Sequence, residues 1–517
     1  MSSDATETDP IDAPAAAGQT RWRTIGRWAF IFVALAGYAA LHLHFGSLLM
    51  QQTNFTDKNI LGGDQKNNIK LALQTREDLN PDFSKGVSGP IKNWFPHRTD
   101  GVVNPLWPWI AAWMADPDQT ISANDAVTPQ DRALFERGRR FNVGLTLGFI
   151  VVLGIACARI FSVAASLNVV LLAGLGAFLP RAVFFQPEPL YFTFFLLTWV
   201  ACIFALQRNS LWVYALIGIL SGIAYMAKGS VQPLVGVFII VSTLRWLWGW
   251  IVAHWPRGIP NLLWVRRNHL FGLFLLVGCH LMTIGPRLNY SQERFGDGFH
   301  SYPGYWMWFD DFESCYAWMG THNTRAQLEA MSPLDKPSLR NYAASHTGTQ
   351  MWERLRDGML VKSADLFWPA VTKQSKSNPK PWKGILEWRG LYLGILAAMG
   401  LILAIAMRFA VPRPERAWHK LHPESAAICL FVFGSLAAYT LAYGWYTPIG
   451  RGDRFMLSLY GPLVLSAVWG AESLLHRARR RAAPQWMIRS YHAAQWLLLA
   501  LILSRVAEIL AHPVFKN

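Results

Sequence analysis

Asp64 is the first residue around which chemistry can be built. It lies in LGGDQKNNIKLA (residues 61–72), where two glycines deliver one carboxylate and Ile69, Leu71 and Ala72 then begin a short helix lying along a surface. A carboxylate so placed has two uses. It caps the helix by accepting from orphan backbone N–H groups, or it serves as a general base that takes a proton from a reacting group. Other ionisable residues stand at the ends of apolar runs. Arg181 and Glu188 flank RAVFFQPEP, Lys228 closes GIAYMAKGS, Arg287 closes MTIGPRLNY, and Arg451, Asp453 and Arg454 precede FMLSLYGPL. Snorkelling explains one or two such residues without any function. Acids and bases converging on one boundary describe a pocket for a charged lipid head group.

The elements that position these residues are membrane-spanning helices. The chain has 517 residues, 52% of them apolar, with 25 Trp and only 15% charged residues, and its apolar residues fall in long runs. A span needs roughly 20 residues to cross about 30 Å of hydrocarbon. Suitable runs lie near 27–49, 141–161, 165–183, 187–207, 211–227, 230–252, 269–286, 389–410, 424–444, 455–474 and 489–511. NPLWPWIAAWM at 104–114 is able to dip into the membrane without crossing. The expected fold is therefore all-α: a polytopic helical bundle of about eleven spans with two large outer-face loops.

Lys and Arg in the short loops set the orientation. Arg21, Arg23 and Arg27 precede the first span and hold the N-terminus in the cytoplasm. With alternating spans the inner loops carry Arg257, Arg266 and Arg267, then Arg408, Arg413, Arg416 and Lys420, then Arg477, Arg479, Arg480, Arg481 and Arg489. Two long polar segments, 50–140 and 287–388, then fall outside together with the C-terminus and all the ionisable helix ends named above. The net charge of +16 follows from this topology and from anionic membrane lipids, and calls for no nucleic acid. The expected organisation is a disordered cytoplasmic tail (1–26), an N-terminal transmembrane module with the first outer loop (27–286), an outer loop domain (287–388) and a C-terminal transmembrane module (389–517). The polar tail SSDATETDPIDAPAAAG lacks the basic n-region of a cleavable signal, so the first span is read as a retained anchor. With no retention signal, a bacterial inner (cell) membrane is expected, its outer segments periplasmic or extracellular.

Of the five cysteines, Cys157, Cys202, Cys279 and Cys429 fall within spans and Cys315 stands in an outer segment, so no disulfide framework or metal-type spacing emerges. The stretch FHSYPGYWMWFDDFESCYAWMG (299–320) packs Trp306, Trp308 and other aromatics around Asp310, Asp311 and Glu313. Aromatic faces stack on sugar rings while carboxylates accept hydroxyl hydrogen bonds. An interfacial aromatic belt has the same composition. Three acids within four residues also offer oxygen ligands to a divalent metal ion, or are simply solvated.

The order of these features resembles the GT-C class of integral membrane glycosyltransferases, especially the branch of protein O-mannosyltransferases and lipid A aminoarabinose transferases. GGDQKNNIKLA matches the acid of their first outer loop, NPLWPWIAAW their proline-aromatic stretch, and QPEPLYFTFFLL their acid at the head of a span. GILSGIAYMAKGSVQPLV matches a glycine-rich span ending in Lys-Gly, and GDRFMLSLYGPLVL an Arg-aromatic pair opening a helix; together these cover most of 27–470. Gln65 stands where the mannosyltransferases usually place a second acid, and the oligosaccharyltransferase signature WWDYG is missing, which argues against transfer of a whole oligosaccharide to Asn. The resemblance implies inverting transfer of a sugar from a polyprenyl-phosphate-linked donor to a lipid, glycan or protein acceptor on the outer face. Asp64 would be the base. Lys228, Arg454 and Arg287 would hold the donor phosphate, with or without a divalent metal. The segment 287–388 is unlike the family, and it is the residues' own chemistry that offers Trp306, Trp308, Asp310 and Asp311, with Glu188, as contacts to sugar or acceptor. A transporter or flippase for lipid-linked sugars, or a non-catalytic assembly partner, would also show many spans and outer aromatics. Transporters usually bury ionisable residues near the midplane, whereas here the spans are mostly clean in the middle, Arg245 and Arg505 being exceptions that can snorkel.

Overall fold

The computed structural model describes residues 13–52, 63–79, 94–119, 127–254, 262–367, 388–410, 423–450, 453–481 and 483–511, and among them there are helices and turns but no strand. In chain order the first helices are α1 (Ala13–Gln52), α2 (Gly63–Leu79), α3 (Leu106–Met114), α4 (Pro129–Ile160) and α5 (Val163–Ala173). A π-helical turn, Gly174–Phe178, and a last α-turn, Leu179–Ala182, carry α5 onward. Next come α6 (Glu188–Arg208), α7 (Leu211–Ala227), α8 (Gln232–His254) and α9 (Leu262–Phe295). The second long polar segment, expected outside, holds α10 (Tyr302–Trp306), α11 (Phe312–Thr321), α12 (Arg325–Glu329), α13 (Leu339–Ser345) and α14 (Gly348–Phe367). The chain closes with α15 (Arg389–Ala410), α16 (Pro423–Trp445), α17 (Leu457–Arg480) and α18 (Gln485–Ala511).

Nine helices among the described residues are long and apolar enough to cross a membrane. The other two of the eleven expected runs are helical as well. α7 has only 17 residues, and α17 dilutes its apolar half with Ser458, Tyr460, Gly461, Pro462 and Glu472. The expected boundaries shift at three places. α4 starts at Pro129, capped by Thr128, α9 continues to Phe295, and α1 already begins at Ala13 within the expected tail. Residues 1–12, Arg257, the run Arg413–Lys420 and Arg451 lie outside the described residues.

Contacts between helix ends show the passes alternating. At one end Arg139 of α4 donates to the carbonyls of Met50 and Val183. At the other, Arg27 of α1 donates to the carbonyls of Ala158 and Phe161, and Ser162 donates to Glu472 of α17. Val163–Ala182 and Glu188–Arg208 form the centre, being 83% and 78% buried. Lipid gives little hydrophobic drive for helix association, so close packing and interhelical hydrogen bonds hold such bundles. Both occur here. A Cβ on Gly218 of α7 would come within 2.4 Å of the Leu276 carbonyl oxygen of α9, and Asn168 donates to Gln495 of α18 at 2.8 Å. The π-turn closes with the Leu179 N–H on the Gly174 carbonyl, and Pro180, which has no N–H to give the preceding turn, follows directly. Its exit leads directly to the turn at 183–187 that carries Glu188.

The two long polar segments are joined. The Tyr302 N–H donates to the Gly101 carbonyl at 2.9 Å, and Gly101 has a φ of +88° that a side chain would strain. Phe295, Tyr302, Trp306, Cys315 and Ile449 form a small separate apolar core there.

Candidate active site

Four segments far apart in sequence deliver the central charges to the same end of the bundle. α2 lies amphipathically over the surface, with Ile69, Leu71, Ala72 and Leu73 buried, and carries Asp64 in its first turn, where the helix dipole favours negative charge. The Asp64 carboxylate accepts from Arg454 rather than capping α2. Its neighbour Gln65 is buried and accepts from the Phe185 N–H at 3.1 Å. Asn142 of α4 donates to the carbonyls of Phe184 and Gln186. The turn before Glu188 is thus fixed by α2 and α4, and Glu188 opens α6 with Pro187 before it and Pro189 after it. Lys228 ends α7 in an extended conformation, its N–H closing on the Ala224 carbonyl. Arg454 sits in a 3-10 turn, Asp453–Phe455, that leads into α17.

Lys228 Nζ donates to Glu188 Oε1 at 3.0 Å, and Arg454 and Arg181 both lie within electrostatic range of that carboxylate. Exposure falls from rim to floor: the Asp64 side chain is 41% exposed, Arg454 30%, Lys228 22% and Glu188 3%. An incoming ligand would meet Asp64 and Arg454 first. Phe455 organises the cations. Its ring centroid lies 5.3 Å from Lys228 Nζ, 5.3 Å from Lys362 Nζ and 5.1 Å from Arg454 Cζ, an arrangement attractive to each cation separately. Lys362 comes from α14. It is fully buried and donates to Asp365 at 3.2 Å and to the Gly450 carbonyl at 3.1 Å, near the start of the turn that carries Arg454. Tyr316 of α11 and Tyr446 lie within electrostatic reach of Asp64 and Arg454. Burial, with Asp64 adding to it, raises both phenols, so they remain protonated donors at neutral pH.

The structure thus brings together Asp64, Glu188, Lys228 and Arg454, with Glu188 paired to Lys228 instead of lying among the aromatic residues. It engages the other expected residues elsewhere. Arg287 is buried and donates to the carbonyls of Gly298 and His300, bracing the turn after α9. Trp306 is 4% exposed and stacks on Tyr316 at 5.0 Å, so that face is closed to a sugar. Trp308 packs against Tyr342 and Trp445. Asp311 caps α11 by accepting from the Ser314 N–H. Asp310 accepts from Tyr342, Arg354 and His346 at 2.7, 3.0 and 3.0 Å, on the wall of an open cleft of about 530 Å³. Among the described residues no three His, Cys, Asp or Glu side chains gather to hold a metal ion, so the divalent site considered at Asp310, Asp311 and Glu313 finds no ligand set. Of the charges inside spans, Arg245 bonds the Leu206 carbonyl and faces Glu424, and Arg505 pairs with Glu508. Lys362 was not marked by the sequence, because its Asp365 partner three residues on gives it the look of a surface pair.

No family model matches the chain, and no curated protein matches it in sequence. Among solved structures it is similar to the apo crystal structure of an oligosaccharyltransferase from Archaeoglobus fulgidus, with 13% identity and a TM-score of 0.41. The likeness covers 93% of this chain and 56% of the archaeal one, so the chain spans little more than half the length of that protein.

Proposed function

We propose that this protein is a multi-pass membrane glycosyltransferase of GT-C type that moves a sugar from a polyprenyl-phosphate-linked donor to an acceptor hydroxyl, with inversion, on the outer face of a bacterial inner membrane. The observation that carries this reading is the convergence of Asp64, Arg454, Lys228 and Glu188 at the end of the bundle where both outer segments lie. The donor phosphate, entering sideways from the outer leaflet, takes Arg454 and Lys228 as charge-assisted partners. Competition for Arg454 releases an Asp64 oxygen to face the acceptor. The acceptor O–H gives its proton to Asp64 as its oxygen bonds the anomeric carbon. The bond from that carbon to the phosphate oxygen breaks, and the electron pair leaves on the phosphate. Arg454 and Lys228 stabilise this developing anion in a partly dehydrated site, where fixed charges act most strongly. Tyr316 and Tyr446 are further donors to the leaving group. The lipid, glycan or protein nature of the acceptor is left open by these residues.

The test is reconstitution of the full chain in proteoliposomes with polyprenyl-phosphate sugars and a crude envelope extract as acceptor source, following release of polyprenyl phosphate. Release that depends on the protein and is lost in Asp64→Asn supports the reading. Equal release by wild type and variant overturns it. The orientation is tested separately by a cysteine introduced near residue 340. It should react with an impermeant thiol reagent in outer-membrane-permeabilised cells, and protection there with labelling near Arg479 would invert the topology.

A further inference from the structure

Beneath the Glu188–Lys228 pair lies a set of polar atoms that the reaction as written does not use. Among the described residues Glu188 Oε2, Tyr191 Oη, Ser230 Oγ and Tyr443 Oη are buried and make no hydrogen bond of good geometry, although both phenols lie near Ser230. Glu188 is 2% exposed, Tyr191 1% and Tyr443 9%. They form one group. Lys228 Nζ stands 6.0 Å from the Tyr191 ring centroid, Tyr443 packs on Phe455 at 5.1 Å, and Tyr439 donates to the Ser230 carbonyl at 2.6 Å. Tyr191 and Tyr443 are both within electrostatic range of Glu188 and of each other. Buried polar groups are almost always satisfied, and several orphans gathered in one place need an explanation.

The chemistry of the set selects what it binds. A carboxylate oxygen only accepts, whereas each hydroxyl both donates and accepts. A phosphate or other anion is repelled by Glu188 Oε2. A cation is disfavoured because Lys228, Arg454 and Lys362 already crowd Phe455. A neutral group that gives one hydrogen bond and exchanges others with hydroxyls fits, which is what an alcohol does. We infer that Glu188, Tyr191, Ser230 and Tyr443 form a hydroxyl-recognising floor that selects the glycosyl group of the donor, distinct from the charged rim that holds its phosphate. This rests on the function proposed above. It makes the three hydroxyl-bearing residues specificity determinants.

The test compares two kinds of probe on the purified full chain in nanodiscs: bare undecaprenyl phosphate, and undecaprenyl phosphate carrying mannose, glucose or aminoarabinose, using whichever glycosylated lipid the wild type binds most tightly. Tyr191→Phe, Tyr443→Phe and Ser230→Ala each remove one hydroxyl at nearly constant shape. Each should weaken binding of the glycosylated lipid roughly five- to tenfold, the usual worth of one hydrogen bond, while binding of the bare lipid stays within about twofold and reports intact folding. Equal losses for both lipids, or no loss for either, would overturn the floor, and unchanged binding with raised thermal stability would make it a site for water. A wild type that binds neither lipid refutes the polyprenyl-phosphate reading itself. A wild type that binds both equally removes the floor alone.

Discussion

Two aspartate–arginine pairs stand on the same face of the molecule and differ in what surrounds them. Arg354 is 6% exposed and makes hydrogen bonds to the Trp445 and Met307 carbonyls, to Tyr342 Oη and to Asp310, while its guanidinium lies 4.7 Å from the Trp445 ring centroid. Among the described residues Arg454 bonds to Asp64 alone, and both partners are about a third exposed. A saturated arginine has nothing left to offer a ligand and serves as a clamp. An arginine held by one displaceable carboxylate is available to a phosphate. The first pair joins the segment holding α10–α14 to α16, and the second is where the proposed function puts the chemistry.

Substitutions at each pair should break this contrast in opposite ways. Asp64→Asn keeps the size and removes the base, so transfer should fall by about 10² or more. Thermal stability should hardly change, since an exposed pair contributes about 0–1 kcal/mol. Full turnover in that variant would leave Asp64 a structural partner of Arg454. Arg454→Ala should raise the KM for donor by roughly 10- to 50-fold, and Arg454→Lys should recover only part of it if the guanidinium binds bidentately. A lysine variant equal to wild type would remove the bidentate contact.

Arg354→Met belongs to the other kind. It should cost about 2–3 kcal/mol of stability through several lost charge-assisted hydrogen bonds, seen as earlier thermal unfolding, with turnover per folded molecule unchanged. Loss of turnover without loss of stability would instead place the Asp310 cleft in the reaction. The smallest effect is expected at Lys362, which meets the Arg454 turn through the Gly450 carbonyl and the Phe455 ring. Lys362→Met should raise the donor KM about three- to tenfold with kcat nearly unchanged, and Lys362→Arg should restore part of it. A fall in kcat alone would exclude a positioning role.

The same contrast explains what the sequence reveals. Glu188, Lys228 and Arg454 are legible because each interrupts the edge of an apolar run, where a charge is costly and its type is therefore informative. Arg287 occupies an equivalent edge, but its partners are carbonyls of Gly298 and His300, and backbone acceptors leave no trace in residue type. Asp311 carried a local signal, a capping acid three residues before Ser314, which its setting among aromatics obscured. The orphan hydroxyls were hidden for a different reason. Tyr191, Ser230 and Tyr443 belong to α6, to the turn after Lys228 and to α16, and only the packing of those elements brings them together. Nine of the eleven expected spans were readable from length and hydropathy among the described residues, whereas the marginal α7 and α17 owe their place to neighbours more than to their own composition.

The seam between α14 and α16 also sets a timetable for biosynthesis. A Cβ on Gly358 would fall 1.9 Å from the Gly444 carbonyl oxygen, so the two backbones touch, with Arg354 reaching Trp445 above and Lys362 reaching Gly450 below. When α14 emerges from the ribosome its seat has not yet been made. At about 5–20 residues per second, the roughly 80 residues separating the end of α14 from the end of α16 keep the outer segment waiting for about 4–16 s. Through that interval its aromatic faces stand open. Chaperones would meet this protein then, and a ribosome stalled in α15 would leave the segment before it undocked for proteases to find.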